Sequence, residues 1–266
     1  IIFKKITKII CQMDLLKLSK NAVVHALDKL IELDKKNIKD YQFSDEVPRE
    51  VKAEADIIIE KILIDKLSIS DLSILSEESG LIKSESNSNL RFIIDPIDGT
   101  VNFIRGICNC SISVALFEGN TPVFGVLASY PSGIISWGGK GIGAFMGDIP
   151  INVSSIKDIK KGVLCTGFPS RFEFNSKTIL EQMHLMQSFN KVRMLGSASQ
   201  SLLQVAQGSV EAYAESNIMI WDVAAGIAIV EGAGGEFRIN NKQDYNYPIE
   251  VIASNNLIDK SIWASQ

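Results

Sequence analysis

Arg91-Phe92-Ile93-Ile94-Asp95-Pro96-Ile97-Asp98-Gly99-Thr100 reads as a buried strand that ends in two carboxylates and a tight turn. Phe92, Ile93 and Ile94 are strand formers. Pro96 disfavours helix at Asp95 and removes one backbone donor. Gly99 permits close backbone approach. Asp95 and Asp98 therefore sit three apart on a fixed bend, and both can point at one small volume. Carboxylate oxygens suit a hard cation such as magnesium. The amides of Gly99 and Thr100 follow, where a turn or helix start presents N–H groups to an anion. Cation and anion sites side by side suggest phosphate chemistry. Asp-Pro and Asp-Gly are also ordinary turn dipeptides, so on this fragment alone a plain turn competes.

The chain around this stretch has 266 residues, 46% of them hydrophobic and 22% charged. That is ordinary globular composition, long enough for one large domain or two subdomains. A net charge of −4 gives no basic footprint, so no nucleic-acid partner is expected. Cys11, Cys108, Cys110 and Cys165 form neither a C-x-x-C pair nor a secreted disulfide framework. With only His25 and His184 beside them, a Cys/His zinc site is not expected. A reducing cytoplasm is the default location. No apolar run approaches the ~20 residues of a membrane span, so no membrane partner is expected. Met13 precedes a clean amphipathic pattern, which predicts that residues 1–12 lie upstream of the natural start. A short membrane-surface helix there is the alternative.

Apolar residues recur at helical spacing from Asp14 to Leu33, and again from about Glu54 to Leu67. Between them, residues 34–50 are charged and irregular and read as a mobile surface loop. A strand runs into Leu75, a polar loop covers 83–90, and strand-like runs follow at Ser111–Phe117, Val123–Ala128 and Ile134–Trp137. Gly138-Gly139-Lys140-Gly141-Ile142-Gly143 looks like a dinucleotide fingerprint, but no helix pattern follows, and a hairpin turn is the better reading. Residues 151–160 read as a connection, which divides the chain into 13–150 and 151–266. The second part alternates strands with helices, as α/β layers do. Its strands are expected near Lys161–Cys165, Val192–Met194, Val210–Ala214, Gly235–Arg238 and Val251–Ala253, and its helices at Ser176–Phe189, Ser199–Gln207 and Asp222–Gly232.

Three acidic clusters share one local setting, a strand end followed by a turn or helix start: Glu77-Glu78, Asp95 with Asp98, and Trp221-Asp222. Strand ends commonly meet in a crevice. Taken singly, Glu77 and Glu78 also fit a solvated pair, and Asp222 also fits the N-cap of a helix Val223–Gly232. Brought together, the three would make a binuclear metal cage.

Ser76-Glu77-Glu78-Ser79, Asp95-Pro96-Ile97-Asp98-Gly99-Thr100 and Trp221-Asp222-Val223-Ala224-Ala225-Gly226 resemble the three signatures of the inositol monophosphatase family, a branch of the lithium-sensitive, magnesium-dependent phosphatases. The likeness spans roughly Met13 to Trp263. It implies an α/β fold of five layers, α/β/α/β/α, of the inositol monophosphatase and fructose bisphosphatase type, with the site between the two halves. It implies that Glu77, Asp95 and the carbonyl of Ile97 hold one Mg²⁺, that Asp95, Asp98 and Asp222 hold a second, and that a weaker third ion sits near Glu77. Thr100, hydrogen-bonded to Asp56, should orient the attacking water, and the Gly99 and Thr100 amides should hold phosphate. Gly196-Ser197-Ala198 and Glu215 should face the alcohol part of a phosphate monoester. A homodimer is common in the family. One departure is Lys52, in Val51-Lys52-Ala53-Glu54-Ala55-Asp56, where a threonine is usual.

The resemblance implies hydrolysis of inositol monophosphate or a similar sugar phosphate. Phosphatases of 3′-phosphoadenosine 5′-phosphate often carry lysine after Asp-Gly-Thr, whereas Val101-Asn102-Phe103 looks like the inositol branch. Histidinol phosphate and fructose bisphosphate stay open as substrates. A rival of another class is a non-enzymatic regulator that keeps the fold and binds RNA polymerase or another protein.

Overall fold

A computed structural model describes residues 2–36, 40–43, 51–240 and 248–258. Helix α1 (Ile2–Lys35) leads to strands β1 (Tyr41–Phe43) and β2 (Val51–Ala53), which pair antiparallel, and to α2 (Glu54–Leu67). Then come β3 (Ser73–Ser76), β4 (Gly80–Ile82), β5 (Leu90–Asp98), α3 (Thr100–Arg105), β6 (Cys110–Glu118), β7 (Thr121–Tyr130), β8 (Ile135–Gly139), β9 (Gly143–Met146) and β10 (Ile149–Pro150). The chain continues through β11 (Val163–Cys165), α4 (Ser176–Ser188), β12 (Lys191–Arg193), α5 (Ala198–Ala206), β13 (Ala212–Ile218), α6 (Ile220–Gly232), β14 (Glu236–Asn240) and β15 (Ile249–Ser254).

Eight strands form one sheet in the order β10-β9-β8-β7-β6-β5-β3-β4, antiparallel except where β3 meets β5. Five more form a second sheet, β12-β11-β13-β15-β14, parallel from β12 to β13 and antiparallel beyond. Successive strand side chains point to opposite faces. Phe92, Ile94, Ile112, Val114 and Leu116 thus join a core with α1 and α2. Their neighbours Ile93, Ala115 and Phe117 join a second core with α5 and α6. In β13, Tyr213 faces that same middle core, while Ala212 and Ala214 face Leu185 of α4. The resulting order is helices, sheet, helices, sheet, helix, the five layers expected.

The middle layer explains the composition of α6. Ile220, Val223, Ala224, Ala225, Ile227, Ala228, Ile229 and Val230 are all buried, because a helix between two sheets has no wet face. It lies so close to the first sheet that a Cβ on Gly125 of β7 would stand 2.2 Å from the Ala225 carbonyl oxygen.

Three expectations need correction. α1 begins well before Asp14, at Ile2. The stretch 34–50 is not irregular throughout, since α1 reaches Lys35 and β1 pairs with β2, as Tyr41↔Ala53 and Gln42↔Lys52 show. Residues 37–39 and 44–50 of that stretch, and Trp263, lie outside the described residues. Asp222 is not an N-cap: α6 starts at Ile220 with Met219 as its cap. The glycine-rich run is the β8–β9 hairpin, as read.

Candidate active site

Residues three apart on a regular strand face opposite sides. On β5, Asp95 pairs with Ser113 but Asp98 pairs with Ser111, so three steps there match two on β6. The extra residue is a β-bulge around Pro96, and it re-aims Asp98 to the side that Asp95 faces. Gly99 follows at φ 92°, where a Cβ would stand 3.0 Å from the Asn109 carbonyl and 3.1 Å from that of Gly196.

Two helix starts deliver the other carboxylates in one way. Asp56 is the third residue of α2, and its Oδ2 accepts the Ala53 amide at 2.9 Å. Asp222 is the third residue of α6, and its Oδ2 accepts the Met219 amide at 3.0 Å. Each carboxylate is thus tied by one oxygen to an otherwise unsatisfied donor of its own helix. The other oxygen of Asp56 lies 3.3 Å from the Thr100 hydroxyl, which also reaches the Ile97 carbonyl at 3.0 Å.

Ligand atoms of Asp95, Asp98 and Asp222 all lie within 4.8 Å of one another. Both oxygens of Asp95 are buried, and no N–H or hydroxyl among the described residues donates to them. Burial pushes the Asp95 carboxyl well above the usual range, and the charges of Glu77, Asp98, Asp222 and Asp56 push it further. Glu77 and Asp222 are raised in the same way, by burial first and then chiefly by Asp222 on Glu77 and by Asp98 on Asp222. Asp56 is pushed up to about 7, by burial first. Such a set holds protons, or it holds a cation that takes their place. An all-oxygen set with an orphaned, fully buried carboxylate fits a hard divalent cation.

Glu77, Asp98, Gly99, Thr100, Gly196, Ser197, Ala198, Glu215 and Asp222 line one crevice of about 390 Å³. Asp95 lies beneath its surface, fully buried, and Asp56 lies behind Thr100. Glu77 is not a member of the tight three-carboxylate group but shares its field. Glu78 leaves in another direction, to Lys52 at 2.8 Å, which gives the unusual lysine a partner. Glu215 accepts the buried Tyr213 hydroxyl at 2.5 Å and is pushed up to about 7, again by burial first.

Ser197 and Ala198 do more than face the crevice. The Ser197 hydroxyl, the Ala198 amide at 3.1 Å, and the Ser199 amide at 2.8 Å and hydroxyl all donate to Asp98. Asp98 therefore closes the N-terminus of α5 from a hundred residues upstream. The sequence reading missed Ser199, which one signal marks: a second serine in the first turn after a serine cap. It also missed Glu60, whose signal is a second carboxylate in the stripe Ala55, Ile59, Leu63, Leu67 of α2. Phe168 and Arg171, from the loop after β11, line the crevice with no periodicity to announce them.

The model of the inositol monophosphatase family matches residues 12–266. A Xylella fastidiosa protein named Nus factor SuhB is 34% identical over 186 residues, which is 69% of this chain and 66% of that protein. An inositol-1-monophosphatase of Mesorhizobium japonicum is 30% identical over 229 residues, 85% of this chain and 86% of its own. The crystal structure of extragenic suppressor protein suhB from Bartonella henselae superposes with a TM-score of 0.81 at 30% identity, over 90% of this chain and 93% of that one.

Proposed function

The chain belongs to the inositol monophosphatase family, and from that premise we propose that it is a Mg²⁺-dependent phosphomonoesterase acting on inositol monophosphate or a similar sugar phosphate. The observation that carries this reading is Asp95: two buried oxygens to which no N–H or hydroxyl among the described residues donates, grouped with Asp98 and Asp222 beneath a crevice that Gly99 and Thr100 also line. Asp95, Asp98 and Asp222 would hold one ion, and Glu77, Asp95 and the Ile97 carbonyl another. Bound magnesium supplies Lewis acidity that makes water acidic and offsets the charge of the phosphate.

The chain's own residues do the rest. Thr100 orients the attacking water, with its hydroxyl anchored against Asp56. Asp56 accepts the Thr100 hydroxyl, and with no cation bound burial pushes its carboxyl up to about 7. The amides of Gly99 and Thr100 hold the phosphate. Glu215, steadied by Tyr213, and the segment Gly196-Ser197-Ala198 face the alcohol. Water attacks directly, and no cysteine is among the described residues that line the crevice. Lithium inhibition, a cytoplasmic location and a homodimer belong to the same proposal.

A second reading, a fold-retaining binding protein, is favoured by the relative named Nus factor SuhB, and that name removes support from the expectation that no nucleic acid is a partner. A phosphate-release screen over inositol phosphates, sugar phosphates, nucleotides and histidinol phosphate tests the first reading. Release from a polyol phosphate with Mg²⁺, abolished by chelator, is expected. No release from any of them at saturating Mg²⁺ would leave the binding role.

A further inference from the structure

On the proposed reading Glu77 is a cation ligand, yet it stands in the tight turn between β3 and β4, whose course its own side chain does not set. Glu60 sets it. This carboxylate is 5% exposed, on the core face of α2 one turn after Asp56. Its Oε1 accepts the Ser76 hydroxyl, the Glu78 amide at 3.2 Å and the Ser79 amide at 3.0 Å. Its Oε2 accepts the Ser79 hydroxyl at 2.6 Å. The donors flank Glu77 on both sides in sequence. A buried carboxylate is heavily destabilising unless such donors satisfy it, so the turn is held to the one course that supplies them all. Lys52 draws Glu78 the other way.

We propose that Glu60 is a positioning residue for the cation site: it locks the Ser76–Ser79 turn so that Glu77 enters the crevice shared with Asp98 and Asp222, without itself touching the cation. The proposal rests on reading Glu77 as a ligand. It makes α2 a bracket for two loops, with Asp56 fixing Thr100 and Glu60, four residues on, fixing Glu77.

The test is Mn²⁺ affinity of the full chain, read by electron paramagnetic resonance, in Glu60→Leu, Glu60→Gln, Ser79→Ala and Glu77→Gln. Loss of an outer partner of a ligand typically weakens metal binding about 10–100-fold, and Glu60→Leu should fall in that range. Glu60→Gln keeps an acceptor for three donors and can turn its amide to the Ser79 hydroxyl, so it should restore affinity close to the parent. The Mg²⁺ concentration for half-maximal phosphate release should rise in Glu60→Leu while kcat at saturation holds. Melting in chelator reports folding separately. Parent affinity in a folded Glu60→Leu overturns the proposal; where that variant does not fold, parent affinity in Ser79→Ala does so. Equal weakening by Glu60→Gln also overturns it, since charge alone would then be the cause. Parent affinity in Glu77→Gln overturns the underlying ligand reading instead.

Discussion

Thr100 has one hydroxyl proton and two acceptors, Asp56 Oδ1 and the Ile97 carbonyl. Its oxygen lone pairs are then left for a water. Thr100→Ala should lower kcat roughly 10²–10⁴-fold, the usual range for a positioned proton-transfer group. Divalent-cation affinity should survive, because no oxygen of the three-carboxylate group is altered. Collapse of that affinity in a calorimetric titration would show that Thr100 is chiefly a ligand. Glu215→Gln should act on substrate choice. Losing a charged hydrogen bond to a hydroxyl costs about 1.5–3 kcal/mol in kcat/KM for a polyol phosphate, and nothing for an aryl phosphate lacking hydroxyls. Equal loss on both would place Glu215 in the chemistry. At this scale the sequence was legible where a residue type is scarce in its setting, as with two aspartates around Pro96. It was silent on Ser199 and Glu60, because what they do depends on partners distant in the chain, Asp98 and the Ser76–Ser79 turn.

Helix α5 shows what an element needs beyond its own sequence. Its cap is Ser197, whose hydroxyl accepts the Gln200 amide, but the Ala198 and Ser199 amides go to Asp98 on β5. A negative charge at this end also complements the helix dipole. Asp98→Asn replaces an oxygen by an amide facing donors. It should therefore destabilise the protein by about 1.5–3 kcal/mol in urea unfolding with chelator present, besides losing most of kcat. Unchanged stability in chelator would mean that Asp98 serves the site alone. Apolar spacing gave α2 to the residue, because one of its faces is buried, and most strands of both sheets were legible to within two positions as short apolar runs, because strands covered on both faces are apolar throughout. The β1–β2 pair stayed hidden because its short strands, Tyr41–Phe43 and Val51–Ala53, flank a charged, polar stretch that reads as loop.

Across the whole molecule, Asp56 and Glu215 pushed up to about 7, with Glu77, Asp95 and Asp222 raised as well, set how stability varies with pH. An unfolded carboxylate releases its proton near pH ~4. Between about 4 and about 7 the folded chain keeps protons that the unfolded chain has lost, so stability falls as pH rises through that window. The slope is at most about 1.4 kcal/mol per pH unit for each such group. In chelator, Tm should drop from about pH 5 to pH 8, and saturating Mg²⁺ should flatten the profile, since a cation replaces the protons. A flat profile in chelator would contradict the burial argument. Alternation of strands and helices gave only the α/β character of the second part; the five-layer order came from the resemblance of the three motifs to the family, and the position of α6 between two sheets could not be read, because an apolar helix fits any interior. That position has a consequence in time. The inner face of the first sheet, with Ile93, Phe117, Leu127 and Ala144, is complete only once β9 leaves the ribosome, yet its cover starts at Ala198 with α5 and ends at Gly232 with α6. At about 5–20 residues per second, the nascent chain carries that bare face for on the order of ten seconds, a window in which a chaperone is its natural shelter.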